Sequence, residues 1–335
     1  MSEKIISKSL KIRDNTLFME GCSVPDLAQE FGSPLFLVSE AHLKHNLAEY
    51  QRAFSEAWPE GPARIMPALK ANCSLAVRSI LSKEGAGCDV FGPGELEGAL
   101  RGGVLPEAIS VNGSIKDTSI IEKAIEIGAR IVLDSPRELT LCDEVSRRVG
   151  KTARVMFRLK PHMKELDIKS DFMPELDIRY LTQIIKYGIP TSEVLIMGPR
   201  AMLMPYIDVV GIHIHMGRHS KKLEVWQAWV EQCIELTKVL SDSMNGWQPA
   251  EINFGGGFPS ESDTDTDVTV KGYAGPTLDD YARIITDTLR SALKTNGLNA
   301  QGLLIEVEPG RGLHTDTGIH LTRVKNLKHE TATMD

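Results

Sequence analysis

No stretch of this chain approaches the roughly 18–20 consecutive apolar residues that a membrane span needs. Residues 1–15 are polar and carry no apolar core of signal-peptide length. Basic charge is in short supply as well. Against 45 acidic side chains stand 38 basic ones, a formal charge of -7 with a pI near 5.8. With no basic cluster to override that balance, a nucleic-acid surface and an anionic-membrane surface are both excluded as partners. Cysteine is sparse: Cys22, Cys73, Cys88, Cys142 and Cys233 are scattered, at no metal-binding or redox spacing. An odd, dispersed set reads as reduced thiols in a cytoplasmic protein, each a small buried apolar residue. Cys73 and Cys88, close to the motifs below, are the exceptions to watch. Also missing is any G-x-G-x-x-G after the first apolar run, which counts against an open doubly wound sheet, the alternative fold.

What the chain does have is ordinary globular composition, 42% hydrophobic and 25% charged over 335 residues. That is room for one large domain and a smaller piece. Eight short apolar, β-branched runs fall at 64–70, 87–90, 109–112, 130–134, 154–160, 209–215, 251–254 and 303–308. Such runs read as strands buried on both faces. Helical stretches lie between them at 74–83, 119–127, 136–149, 223–240 and 278–293. Their start signals are Asp117, Ser135 with Pro136, and Thr277 with Asp280 at capping-box distance. Strand–helix alternation repeated eight times predicts an α/β protein, a (β/α)8 TIM barrel.

Residues 1–40 and the alternating tail 318–328 fall outside the barrel count. Two long stretches, 161–204 and 261–276, read as insertions after the fifth and seventh strands. Asp263, Asp265 and Asp267 in the second alternate like a calcium loop, but the required glycine and glutamate are absent, so a solvated acidic loop is expected.

A barrel works at the C-terminal ends of its strands. Those ends carry Lys70, Asp89, Asn112, Asp134, Arg158, His215, Gly255-Gly256-Gly257 and the run Glu308-Pro309-Gly310-Arg311. Each has a plain structural explanation: a snorkelling lysine, a glycine turn, a salt-bridging carboxylate. Together they suit pyridoxal phosphate (PLP). A desolvated lysine forms Schiff bases, bare glycine backbone cradles phosphate with an arginine beside it, and a carboxylate can pair with a protonated pyridine nitrogen. The pair His213 and His215 raises a rival zinc site. A zinc ion needs more ligands than these, and Arg311 beside Glu308 opposes a metal, so no metal is expected. His215 reads better as a flat ring stacked on a flat cofactor, and His213 as a core histidine.

The segments GSPLFLVSEAHLKHNL (32–47), ALKAN (68–72), GCDVFGPGELEGAL (87–100), GIHIHMG (211–217), INFGGGFP (252–259) and IEVEPGR (305–311) resemble, in order, a known family. It is that of the PLP-dependent decarboxylases on the alanine-racemase type of barrel, which holds the diaminopimelate, ornithine and arginine decarboxylases. The style of GSPLFLV and GELEGAL leans towards the diaminopimelate branch. The resemblance implies Lys70 as the Schiff-base lysine, His215 stacked on the ring and Glu308 at the ring nitrogen. Gly256, Gly257 and Gly310, with Arg311, would hold the phosphate, and Asp89 and Arg158 would stand near the lysine. It implies a small amino-acid substrate, meso-diaminopimelate or a related basic amino acid, and a homodimer.

Two departures stand out. The family's H-x-G-S is here His215-Met216-Gly217-Arg218, so either Ser220 serves after a local shift or Arg218 meets an acidic group of the substrate. The family also continues into a C-terminal β-domain that completes the site across the dimer. The expected organisation is therefore 1–40 as the N-terminal part of a β-domain, 41–312 as the PLP-binding barrel, and 313–335 as the start of a truncated β-domain. The remnants would carry unpaired strand edges, and a complementing C-terminal chain is the alternative partner. Three other functions stay open: an amino-acid racemase on the same barrel, a barrel that binds PLP or a partner without catalysis, and a zinc hydrolase.

Overall fold

The computed structural model describes residues 3–160, 163, 168–170, 173–215, 220–260 and 275–328. Eight parallel strands form the barrel: β1 (Ala63–Ile65), β2 (Cys88–Val90), β3 (Ile109–Val111), β4 (Arg130–Leu133), β5 (Ala153–Lys160), β6 (Ile207–His213), β7 (Glu251–Asn253) and β8 (Leu304–Val307). Their order is β1-β8-β7-β6-β5-β4-β3-β2. The ends of that path are joined by Gly87 N–H to the Ile65 carbonyl (2.9 Å), Asp89 N–H to the Pro67 carbonyl (3.4 Å) and a bridge between Ala68 and Asp89. The ring is thereby closed, with no edge left to pair elsewhere.

The helices are α1 (Glu40–Ala57), α2 (Leu75–Lys83), α3 (Pro93–Arg101), α4 (Thr118–Ile127), α5 (Pro136–Val149), α6 (Thr191–Ala201), α7 (Leu223–Ser243) and α8 (Leu278–Thr295). The start signals act as their chemistry predicts. Asp117 accepts from Ile120 N–H at 3.0 Å, and Thr277 and Asp280 close a reciprocal capping box. Because α1 precedes the first strand, it fills the place after the eighth and packs against α8. The main core lies between this helical ring and the strands, from Leu43, Leu47 and Phe54 round to Leu289 and Leu293.

Three expectations need correction. The first strand does not run to Lys70. It ends at Ile65, Pro67 brings no N–H to a ladder, and Lys70 sits in a single 3₁₀ turn, Leu69–Ala71. Nor is 161–204 wholly an insertion, since α6 within it is a barrel helix between α5 and α7. Pro199 lies inside this helix, where proline is disfavoured by its missing N–H. In the fold Gly198 lets α6 approach the end of α7, where a Cβ would come within 2.8 Å of Met244 Sδ. Finally, Cys22 and Cys73 are exposed; only Cys88, Cys142 and Cys233 are buried. The acidic stretch with Asp263, Asp265 and Asp267 lies outside the described residues.

Outside the barrel, four short antiparallel strands (Glu3–Ile5, Leu10–Arg13, Thr16–Met19, Cys22–Ser23) form one small sheet. The tail strand Gly318–Leu321 pairs antiparallel with Leu35–Val38, from Gly318 opposite Val38 to Leu321 opposite Leu35.

The barrel interior is polar. Arg130, fully buried, reaches Glu251 and Glu306 at 2.6 Å each. Arg154 adds a second contact to Glu251 (2.6 Å), and Arg64 one to Glu306 (3.2 Å). Burial pushes the Glu306 carboxyl up, while Arg130 pulls it down. Removing the central cation strands two buried carboxylates, so Arg130→Ala should cost about 3–5 kcal/mol of stability. The denaturant midpoint measures this, and an unchanged midpoint rules the argument out.

Burial, with Arg78 nearby, holds the His314 imidazole down at about 4, below its ordinary 6.5. The folded chain therefore refuses a proton that the unfolded chain accepts, and stability falls as pH drops from about 6.5 towards 4. His314→Gln should recover about 1–2 kcal/mol of the loss between pH 7 and pH 5. Denaturation of both proteins at the two pH values checks the sign.

Candidate active site

The C-terminal strand ends converge on a cavity of about 670 Å³. Lys70, His215, Ser220, Gly256, Gly257, Glu308, Gly310 and Arg311 line it, and Met173, Ile178, Leu181 and Tyr187 form an apolar side. Six of the residues singled out from sequence for catalysis or cofactor binding thus share one wall with Lys70. Asp89 and Arg158 stand behind it, both buried.

The glycine loop follows β7 because nothing larger fits. Gly255 has φ +65°, and a Cβ there would come within 2.9 Å of the His215 ring. A Cβ on Gly256 would lie 2.3 Å from the Glu308 carbonyl oxygen. Phe258 then anchors the loop among Tyr50, Phe54, Trp226 and Tyr281, stacked on Trp226 at 5.0 Å.

Glu308 follows β8 and is 4% exposed. Its Oε1 accepts from Asn112 Nδ2 at 3.0 Å and from Asn253 Nδ2 at 2.9 Å. His213 Nε2 lies 3.3 Å from Oε1 and 3.4 Å from Oε2. Asn112 also donates to Asp89 Oδ1 at 2.6 Å, and Asn253 accepts Gly255 N–H at 2.7 Å. The Glu308 carboxyl is held above its ordinary value: burial pushes it up, and Lys70, Arg158 and the two amides offset only part of the rise. Burial pushes Asp89 well up, with Glu308 adding to the rise and Lys70 opposing it. His213 and His215 are held well below the usual imidazole range, first by burial and then by Arg158.

Lys70 Nζ lies 3.9 Å from Asp89 Oδ2 and 3.9 Å above the Phe91 ring. Arg158 lies over the Tyr187 ring at 4.9 Å, with Asp134 Oδ1 3.8 Å from its Nη1. Arg311 opens the short helix Arg311–His314 at the cavity edge. Ser220 is buried, and its carbonyl accepts from Trp226 and Tyr281 at 3.0 Å each. Arg218 lies outside the described residues.

Sequence reasoning gave Asn112 no role and passed over Asn253, Phe91 and Tyr187. The signal for Asn253 was available, since it lies two residues before Gly255 within INFGGGFP. Among the described residues no three His, Cys, Asp or Glu side chains group to hold a metal ion. Nor does any described helix have the length and apolarity to cross a membrane.

A lysine, a bare glycine backbone with an arginine at its rim, and a buried carboxylate share this one cavity. Asp89 Oδ2, Asn112 Oδ1 and His213 Nδ1 are buried without hydrogen-bond partners. These residues fit PLP. Residues 41–315 match the family model described as the pyridoxal-dependent decarboxylase, pyridoxal binding domain. The chain belongs to this family of PLP-dependent enzymes, on a TIM barrel.

Its relatives are more particular. A diaminopimelate decarboxylase from Pseudomonas aeruginosa is 29% identical, over 95% of this chain and 69% of that protein. One from Methanocaldococcus jannaschii is 29% identical, over 97% and 71%. The crystal structure of the M. jannaschii diaminopimelate decarboxylase in co-complex with L-lysine superposes with a TM-score of 0.82 at 29% identity, covering 96% of this chain and 71% of that one. A biosynthetic arginine decarboxylase from Campylobacter jejuni, 17% identical with a TM-score of 0.71, shares the fold.

Gly256→Ala should weaken PLP binding about tenfold or more, because the added carbon forces the β7 loop away from the Glu308 backbone. A fluorescence titration against the unmodified protein measures it, and equal affinities would remove Gly256 from the cradle.

Proposed function

We propose that this chain carries the PLP-binding half of a diaminopimelate-decarboxylase-like active site, acting on meso-diaminopimelate or a closely related basic amino acid. One observation carries the reading: Lys70, Gly256, Gly257, Glu308 and Arg311 line a single cavity. The names of the relatives supply the substrate.

In this reading Lys70 holds the cofactor's aldehyde carbon. Gly256, Gly257 and Gly310 offer backbone to the phosphate, with Arg311 adding charge. His215, neutral at pH 7, covers one face of the ring. When bound, PLP supplies an electron sink for the pair released as the α-carboxylate leaves as CO2. Glu308, ionised, matches a proton held on the ring nitrogen. Asp89, 3.9 Å from the Lys70 nitrogen, positions that side chain. Arg158, beside Asp134 and Tyr187, adds positive potential that favours the substrate's carboxylate.

The division into an N-terminal segment 1–40, a PLP-binding barrel 41–312 and a β-domain beginning at 313 belongs to the same proposal. So do cytoplasmic location and a homodimer or a complementing C-terminal chain.

The test combines absorbance and CO2 release. The unmodified chain should give a borohydride-trapped PLP adduct, and Lys70→Ala should give none. With meso-diaminopimelate, under conditions where the unmodified protein is active, Lys70→Ala should lower CO2 release by about 10³-fold or more. A variant that traps PLP and retains the rate would refute the role of Lys70.

A further inference from the structure

His213 is the one buried histidine whose only close polar neighbour, among the described hydrogen bonds and ion pairs, is the Glu308 carboxylate. It is 1% exposed, and its Nδ1 has no hydrogen-bond partner. A histidine serving only as packing would be replaced without loss by an apolar side chain, which leaves no buried nitrogen unpaired. Its tautomer follows from the same geometry. With the proton on Nδ1, a buried N–H would be orphaned and the Nε2 lone pair would face carboxylate lone pairs. With the proton on Nε2, one N–H points at both Glu308 oxygens.

We propose that His213 is a positioning residue: as the neutral Nε2–H tautomer it donates to Glu308 and, with Asn112 and Asn253, keeps that side chain an anion for the ring nitrogen. This rests on the reading of Glu308 given above. The groups around Glu308 come from the whole ring of strand ends. Lys70 follows β1, Asp89 is on β2, Asn112 follows β3, Arg158 is on β5, and Asn253 and Glu306 are on β7 and β8. Asp89 and Glu306 are themselves acids and cannot add to its negative charge without cost. The ionised form therefore depends on its donors, and among the described ones His213 alone spans both oxygens. Loss of that donor lets Glu308 take a proton, after which it no longer matches a protonated ring nitrogen.

The discriminating ligand is a PLP analogue with a C–H in place of the ring nitrogen, which keeps the aldehyde and phosphate. The unmodified protein should bind PLP about tenfold more tightly than this analogue, measured by fluorescence titration. In His213→Leu the affinity for PLP should fall to that of the analogue, while affinity for the analogue changes less than about twofold. His213→Gln, whose amide N–H can replace the imidazole N–H, should restore most of the difference. Should the leucine variant fail to fold, His213→Met carries the same comparison. If His213→Leu weakens both ligands equally, or neither, the positioning role is overturned. If the unmodified protein itself does not distinguish the two ligands, the pairing of Glu308 with the ring nitrogen fails first.

Discussion

A carboxylate buried in the mouth of a closed barrel is the constraint on which the site depends. Glu308 cannot be solvated, so its charge must be matched by donors fixed in place. They come from β6 and from the ends of β3 and β7, strands separated by long stretches of sequence. Only a closed ring brings these ends to one point, and the ring closes through the short β1 turn that also carries Lys70. Folding the barrel and assembling the floor of the cavity are therefore one event.

The same logic extends inward. Asn253 donates to Glu308 and, at 3.3 Å, to Glu306, which is held by Arg130 together with Glu251. A polar path thus runs from the Arg130 cluster to the site, and the separate apolar cluster beside it is small: Val132, Met156 and Val210. Mispaired strands would leave charges unmatched, at a cost of several kcal/mol each. That penalty disfavours alternative registers more sharply than apolar packing, which tolerates slippage.

Much of this was legible in the chain. All eight strands were marked by short runs rich in apolar residues, even where Arg130, Glu251 and Glu306 interrupt them to face the interior. Five helices were marked by periodicity and caps, and Asp117, Ser135 and Thr277 start theirs. What stayed hidden has physical reasons. Pro67 ends β1 early, an effect of a missing N–H within an otherwise apolar run. Gly198-Pro199 looks like a break and is a close packing contact. The lysine, glycine loop and carboxylate were readable because each has chemistry of its own. Asn112, Asn253 and His213 were not, because an amide or imidazole gains meaning only from the partner that the fold sets beside it.

The wall of the cavity is built on a different principle from its floor. The segment from the short helix Ile178–Ile184 to Gly188 is held chiefly to the end of β5 and to Asp134, with Lys160 donating to the Gln183 and Ile185 carbonyls. Gly188 N–H donates to Asp134 Oδ1 at 2.8 Å, Tyr187 lies over Arg158, and Ile189 pairs with Leu159. None of these contacts reaches Glu308 or the glycine loop. Met173, Ile178 and Leu181 can therefore vary with less effect on the groups around Lys70 than Tyr187, which lies over Arg158. In the proposed reading, chemistry belongs to the strand ends, where every polar atom is coupled to the next. Selection among amino acids belongs to the apolar side chains of this wall.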